Sequence, residues 1–129
     1  MEKYNLSLVL FTWLTQASVG LLIMRAVYIR TSSGNDNKPE KAQYMLFTAL
    51  VMLVAGLLFS FGHLNYPRNA LNAINNIGAS WMSREILAET ILLAILLLWY
   101  LAVRFRIKTA GLWIPEILSI ITGLSLIHI

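Results

Sequence analysis

Long apolar runs separated by short polar connections set the pattern of this chain. A lipid crossing needs about 20 mostly apolar residues, within a range of about 17–25. Runs of that kind extend over about Leu6–Tyr28, about Ala42–Phe61 and about Ile86–Val103, with a fourth from about Ala110 towards the C-terminus. They lack the strict alternation of a barrel strand, and in lipid the remaining way to satisfy the backbone is a helix. The pattern predicts an all-α integral membrane bundle with four transmembrane helices. The first connection, Arg30–Lys41, has the Ser, Gly, Asn, Asp and Pro composition of a loop, and the third is short and basic.

The second connection differs from both. Between Gly62 and Glu89 fall His63, Pro67, five asparagines, two arginines and two glutamates. Pro67 suits the first turn of a helix, with Asn65 as its cap. Ala70, Leu71, Ile74 and Ile77 then recur at helical spacing, with Asn69, Asn72 and Asn76 opposite. This predicts a short interfacial helix between the second and third spans, apolar face down, ended by Gly78. Trp81 belongs at headgroup level, Ser83 is expected to cap the third span, and Glu85 in its first turn would suit the helix dipole.

Composition reinforces the class. The protein is 58% hydrophobic and only 12% charged, against about a quarter charged in soluble domains. The net charge of +4 does not indicate nucleic acid, because the basic residues sit at the ends of apolar runs, as topology signals do. Arg25, Arg30, Lys38, Lys41, Arg104, Arg106 and Lys108 lie on one side; Lys3, Arg68 and Arg84 lie on the other. The rule that Lys and Arg concentrate in the cytoplasm then puts the N-terminus and the His63 connection on the outer side of the membrane. The start, with Glu2 beside Lys3 and a long apolar run, reads as a retained helix and not a signal peptide. With no cysteine, this protein alone holds no disulfide, thiolate zinc site or iron–sulfur cluster.

The last six residues, Leu124–Ile129, read LSLIHI. That is the translation of CTG TCT CTT ATA CAC ATC, the start of a transposase adapter used in DNA library preparation. Residues 1–123 are therefore expected to be the native membrane domain, the N-terminal part of a longer protein, and His128 is left out of every site argument.

Candidate chemistry gathers at one end of the expected bundle. His63 closes the second span, and an imidazole exchanges a proton near neutral pH. Glu85 and Glu89, four apart, share one face of the third helix. Arg68 and Arg84 lie at the same surface. An acid within a span is costly and marks function by default. The bland alternatives are a histidine bonded to a loop carbonyl and a Glu89 that snorkels or pairs with Arg84 or Arg68. Gln16, mid-span, is expected to bond another helix, and Glu116 to be an interface acid.

His63-Leu64-Asn65-Tyr66-Pro67, the Asn-Ala-rich helix after it and Ser80-Trp81-Met82-Ser83-Arg84-Glu85 resemble the membrane anchor subunit (C-chain) family of anaerobic dimethyl sulfoxide reductase, as do Phe11-Thr12, Gln16 and Gly20 at the start. The resemblance extends nearly to Gly123. Asn65 stands where that family has glycine, and Arg68 precedes by one position the family's usual arginine. The resemblance implies the first half of an anchor of about eight helices. It implies a subunit that is not catalytic alone but oxidises quinol, usually menaquinol, for a complex in anaerobic respiration. Such an anchor carries no haem or metal. Its partners are an Fe–S electron-transfer subunit and a molybdopterin catalytic subunit, in the bacterial cytoplasmic (inner) membrane. On that footing His63 is the expected proton acceptor from quinol, Glu85 and Glu89 relay the proton or orient the imidazole, and Arg68 and Arg84 join His63 in quinol binding. The competing readings are a four-helix proton-coupled transporter using Glu89, and a purely structural anchor.

Overall fold

The computed structural model describes residues 2–32, 34, 38–63, 75, 78, 81–105 and 113–128. These form α1 (Glu2–Thr31), α2 (Lys38–His63), α3 (Trp81–Arg104) and α4 (Trp113–His128), with no strand among the described residues. The all-α membrane bundle expected from the apolar pattern is the fold found. Helices α1, α2 and α3 contain stretches long and apolar enough to cross a membrane: Leu6–Thr31, Glu40–Phe61 and Ser83–Arg104. The apolar part of α4, Ile114–Ile127, is shorter. At 1.5 Å per residue it reaches about 21 Å, against a hydrocarbon core of about 30 Å. The described part of the predicted fourth span is thus an apolar helix over Ile114–Ile127.

The helices alternate in direction, and three contacts fix the register of α1 against α2. Ser7 Oγ donates to Phe59 O (2.7 Å), Ser18 Oγ to Ala49 O (2.8 Å) and Arg25 Nε to Ala42 O (3.0 Å). As α1 advances from 7 to 25, α2 retreats from 59 to 42, so the two run antiparallel. Helix α3 runs parallel to α1, because Thr15 meets Glu89 and Arg25 stacks on Trp99 with one constant offset in sequence. Each of these contacts gives a polar group a partner within the protein, three of the hydrogen bonds in its buried interior, which membrane helices need because lipid offers none.

Between the polar contacts lies an apolar layer of Val19, Leu22, Leu46, Ala49, Leu50, Leu53, Leu92 and Leu96. Only 28%, 33% and 28% of the three spanning windows is buried within the protein. Most of the apolar surface, such as Trp13, Met24, Leu58 and Leu98, therefore faces outward, as expected where the surroundings are lipid or further helices. Gly123 brings α4 close to α1: a Cβ there would meet Val19 Cγ2 at 2.7 Å. Near the ends of α1 and α3 remote from His63, Arg25 is buried with its guanidinium 4.4 Å above the Trp99 ring, and Arg30 Nη1 reaches Glu116 Oε1 at 3.4 Å. Glu116, expected at the interface, is buried and ion-paired.

Two local expectations need correction. Helix α3 begins at Trp81, so Ser83 lies inside it, buried, and is not its cap. For the same reason Glu85 falls beyond the first turn, which holds no acid. The predicted interfacial helix lies outside the described residues except for Asn75 and Gly78; Asn75 is helical and Gly78 sits in a turn.

Candidate functional site

The parallel pairing of α1 with α3 decides where the acids point. Glu85 and Glu89, one turn apart, both face α1. Glu89 is fully buried, at 0% exposure, six residues inside the span that starts at Ser83 and so about 9 Å along the helix. Thr15 Oγ1 donates to Glu89 Oε1 at 3.0 Å. The second carboxyl oxygen, Oε2, is buried with no hydrogen-bond partner among the described residues. Among those residues no cation pairs with Glu89. A carboxyl held this way is expensive, which separates it from an ordinary structural acid.

Helix α2 supplies the third wall through an absence of side chain. A Cβ added at Gly56 would lie 3.2 Å from Glu89 Oε1, 3.2 Å from Thr15 Oγ1 and 3.6 Å from Leu14 Cβ. Glycine here lets three helices close around one hydrogen bond, as small residues commonly do at membrane helix contacts. Beside this point a cleft of about 20 Å³ is lined by Thr12, Thr15, Gln16 and Glu85, and is closed by Leu126 and Ile127 of the terminal segment that was set apart from the native domain. That is about the room one water needs, and the polar groups to hold it are present. Thr15 borders both the cleft and the buried carboxyl, so the two acids are joined through a polar seam on α1.

The other expected members are placed differently. Arg84 is exposed and turned along the surface: Nη2 donates to Gly78 O at 3.2 Å, and its guanidinium lies 5.1 Å from the centre of the Trp81 ring. No ion pair joins it to Glu89. His63 ends α2 at the end of the bundle where α3 begins, but its side chain is outside the described residues, as is Arg68. The interhelical bond expected of Gln16 comes instead from its neighbour Thr15, while Gln16 lines the cleft. Thr12, Thr15 and Gly56 are additions to the expected site. Their signal in the sequence is Thr12, Thr15 and Gln16 sharing one face of an apolar helix, but it points to a partner only once the register is known. Among the described residues no cluster of three or more His, Cys, Asp or Glu could hold a metal ion.

Comparison with known proteins gives one consistent result. The sequence model of the DMSO reductase anchor subunit (DmsC) family matches residues 1–128. The C subunit of the anaerobic dimethyl sulfoxide reductase of Haemophilus influenzae is 27% identical over 129 residues, covering 98% of this sequence and 45% of that protein. The YnfH subunit of an anaerobic dimethyl sulfoxide reductase of Escherichia coli is 38% identical over 94 residues, covering 73% of this sequence and 33% of that protein. The C subunit of the anaerobic dimethyl sulfoxide reductase of E. coli is 28% identical over 88 residues, covering 68% and 31%. The sequence thus spans less than half the length of the curated relatives it matches. No solved structure matches it. With the family model matching nearly every residue, this protein belongs to the DMSO reductase anchor subunit (DmsC) family.

Proposed function

We propose that the protein forms the quinol-oxidising part of a membrane anchor for a molybdopterin oxidoreductase complex. The observation that carries this reading is the buried carboxyl of Glu89, bonded once by Thr15 and bordering a polar cleft that contains Glu85. Oxidation of a quinol to a quinone releases two electrons and two protons. The electrons pass to an Fe–S partner subunit and from there to a molybdopterin catalytic subunit. The protons need acceptors at the membrane and a route to water.

His63, at the end of α2, takes a proton from a quinol hydroxyl as general base. Glu89 and Glu85 pass protons outward along the face they share, through the cleft beside Thr12 and Gln16. Arg84 and Arg68 hold the headgroup at the surface. The preferred substrate is menaquinol, and the exposed apolar helix faces receive its isoprenoid tail. By the distribution of Lys and Arg, this end of the bundle lies on the outer face of the cytoplasmic membrane, where the Fe–S subunit docks and the protons leave. Family membership favours this reading over a proton-coupled exporter.

The test is quinol turnover by the assembled complex. His63→Ala is expected to lower menaquinol-analogue oxidation by about 10²- to 10⁴-fold, the range of a general base, while the complex still assembles on the membrane. Glu89→Gln keeps an acceptor for Thr15 but carries no exchangeable acid, and is expected to slow turnover with headgroup binding retained. Undiminished turnover in both variants would overturn the assignment.

A further inference from the structure

The end of the bundle remote from Glu89 holds a second cleft that the quinol reading does not use. It lies between the start of α2 and the end of α3, has a volume of about 390 Å³, and is lined by Glu40, Gln43, Tyr44, Phe47, Tyr100 and Arg104. Volumes of this order are those of small-molecule sites. We propose that it binds one zwitterionic phospholipid whose headgroup carries a phosphate and a primary ammonium, as phosphatidylethanolamine does.

Three features select this ligand. The first is charge. Glu40 and Arg104 line the same cleft, yet among the described residues no ion pair joins them. One acid and one base held apart across a cleft complement a molecule with one charge of each sign: the phosphate meets the Arg104 guanidinium and the ammonium meets the Glu40 carboxylate.

The second is depth. Glu40, Gln43, Tyr44 and Phe47 recur at helical spacing on one face of α2, and Phe47 lies about 10 Å further along the helix than Glu40. Tyr100 lies one turn inside Arg104 on α3. The charged pair is therefore at the mouth, amide and phenol groups follow at the level of ester oxygens, and the Phe47–Tyr100 pair, with ring centroids 5.7 Å apart, meets the first acyl methylenes. This polar-to-aromatic gradient is that of a lipid entering the interface.

The third is exposure: Tyr44 and Phe47 are 63% and 46% exposed, so the cleft opens on the outward side of α2, where an acyl chain can enter. A purely anionic headgroup would oppose Glu40. A choline headgroup could fill the space but donates no hydrogen bond to it.

The experiment is native mass spectrometry of the protein in mild detergent, offered equal amounts of phosphatidylethanolamine, phosphatidylcholine and phosphatidylglycerol. A single phosphatidylethanolamine adduct is expected, favoured roughly tenfold over each of the others, as one charge-assisted hydrogen bond provides. Arg104→Gln and Glu40→Gln should each remove the preference, and Lys41→Gln, which changes a neighbouring exposed charge outside the cleft, should keep it. Equal adducts of the three lipids, a preference for phosphatidylglycerol, or no adduct on the parent protein would overturn the proposal. So would a preference that survives in the Glu40→Gln/Arg104→Gln double variant. The lipid ranking on the parent protein decides the matter even if a variant fails to fold.

Discussion

Thr15→Val tests the centre of the candidate site with the smallest change of shape. Valine replaces the hydroxyl by a methyl group and leaves the rest of the side chain in place. In the native bundle Glu89 has one hydrogen bond, from Thr15, and one buried oxygen without a partner among the described residues. The substitution leaves both carboxyl oxygens unsatisfied. An interhelical hydrogen bond in a membrane protein averages about 0.6 kcal/mol, with larger values near 1.7 kcal/mol. Leaving a buried acceptor unpaired costs about 1–3 kcal/mol. The two figures overlap in meaning, so the expected destabilisation is about 1–3 kcal/mol and not their sum. It is read from the unfolding midpoint in a denaturing-detergent titration, followed by helical circular dichroism. Two companions make the test specific. Thr15→Ser keeps the donor and should recover most of the loss. Thr15→Val combined with Glu89→Met removes donor and acid together, and should return to parental stability or above it, because replacing both partners by apolar groups of similar size removes the orphan. If Thr15→Val stays within about 0.3 kcal/mol of the parent, or if the double variant loses the sum of the single losses, the sites are independent and the bond is not what holds Glu89.

Three other perturbations follow from the same contacts. Gly56→Ala sets a methyl 3.2 Å from both Thr15 Oγ1 and Glu89 Oε1; it should force the pair apart and slow the proposed quinol turnover more than it lowers assembly of the proposed complex. Gly123→Ala brings a Cβ to 2.7 Å from Val19 Cγ2, an overpacking expected to cost about 1–3 kcal/mol in the same titration, and adding Val19→Ala should relieve it. Trp99→Leu removes the ring beneath the buried Arg25 guanidinium and is expected to cost about 2–4 kcal/mol through lost packing and lost cation–π attraction, measured against Trp81→Leu, whose exposed ring at the surface should matter little.

The first three helices are legible in the sequence because each apolar run exceeds what a soluble core helix needs and each is bounded by charged or turn-forming residues. The acids are legible for a related reason: a carboxyl inside an apolar run stands out against the insertion cost it carries. Which residues meet them is not. In an amphipathic soluble helix the polar face announces itself, but α1 is apolar on most sides, and Thr15 among Leu14, Gln16 and Ala17 carries no mark of facing inward. Gly56 is harder still, since its contribution is the missing side chain. Arg25 illustrates a different difficulty. Counted as a topology charge at a span end, it is buried on Trp99 and bonded to Ala42 O. A cation near a helix end can snorkel to water or stack within the bundle, and composition does not choose between these. Ser83 misleads because a cap is defined by where the helix starts, and α3 starts two residues earlier, at Trp81.

The polar contacts also explain why the acid is held at one depth. Hydrocarbon gives apolar helices no reason to associate in one alignment, since a leucine is as well solvated by lipid as by another leucine. The layer of Val19, Leu22, Leu92 and Leu96 could therefore pack in several registers at similar free energy. Thr15–Glu89 and Arg25–Trp99 remove that freedom together. They share one sequence offset and lie ten residues apart on α1, about 15 Å along the axis, so a slip of α3 by one turn would orphan Glu89, unstack Arg25 and leave both in hydrocarbon. The antiparallel pairs from α1 to α2 add the same constraint and bring Gly56 opposite the Thr15 hydroxyl. Glu89 is thus positioned by contacts at both ends of the bundle, including Arg25 near its far end. Substitutions at Arg25 or Trp99 should shift the environment of the acid without touching it. A solvent-accessibility probe at Glu89→Cys, in this otherwise cysteine-free protein, should therefore report faster labelling when Trp99→Leu is added. Unchanged labelling would mean that the Arg25–Trp99 contact does not set the register at position 89.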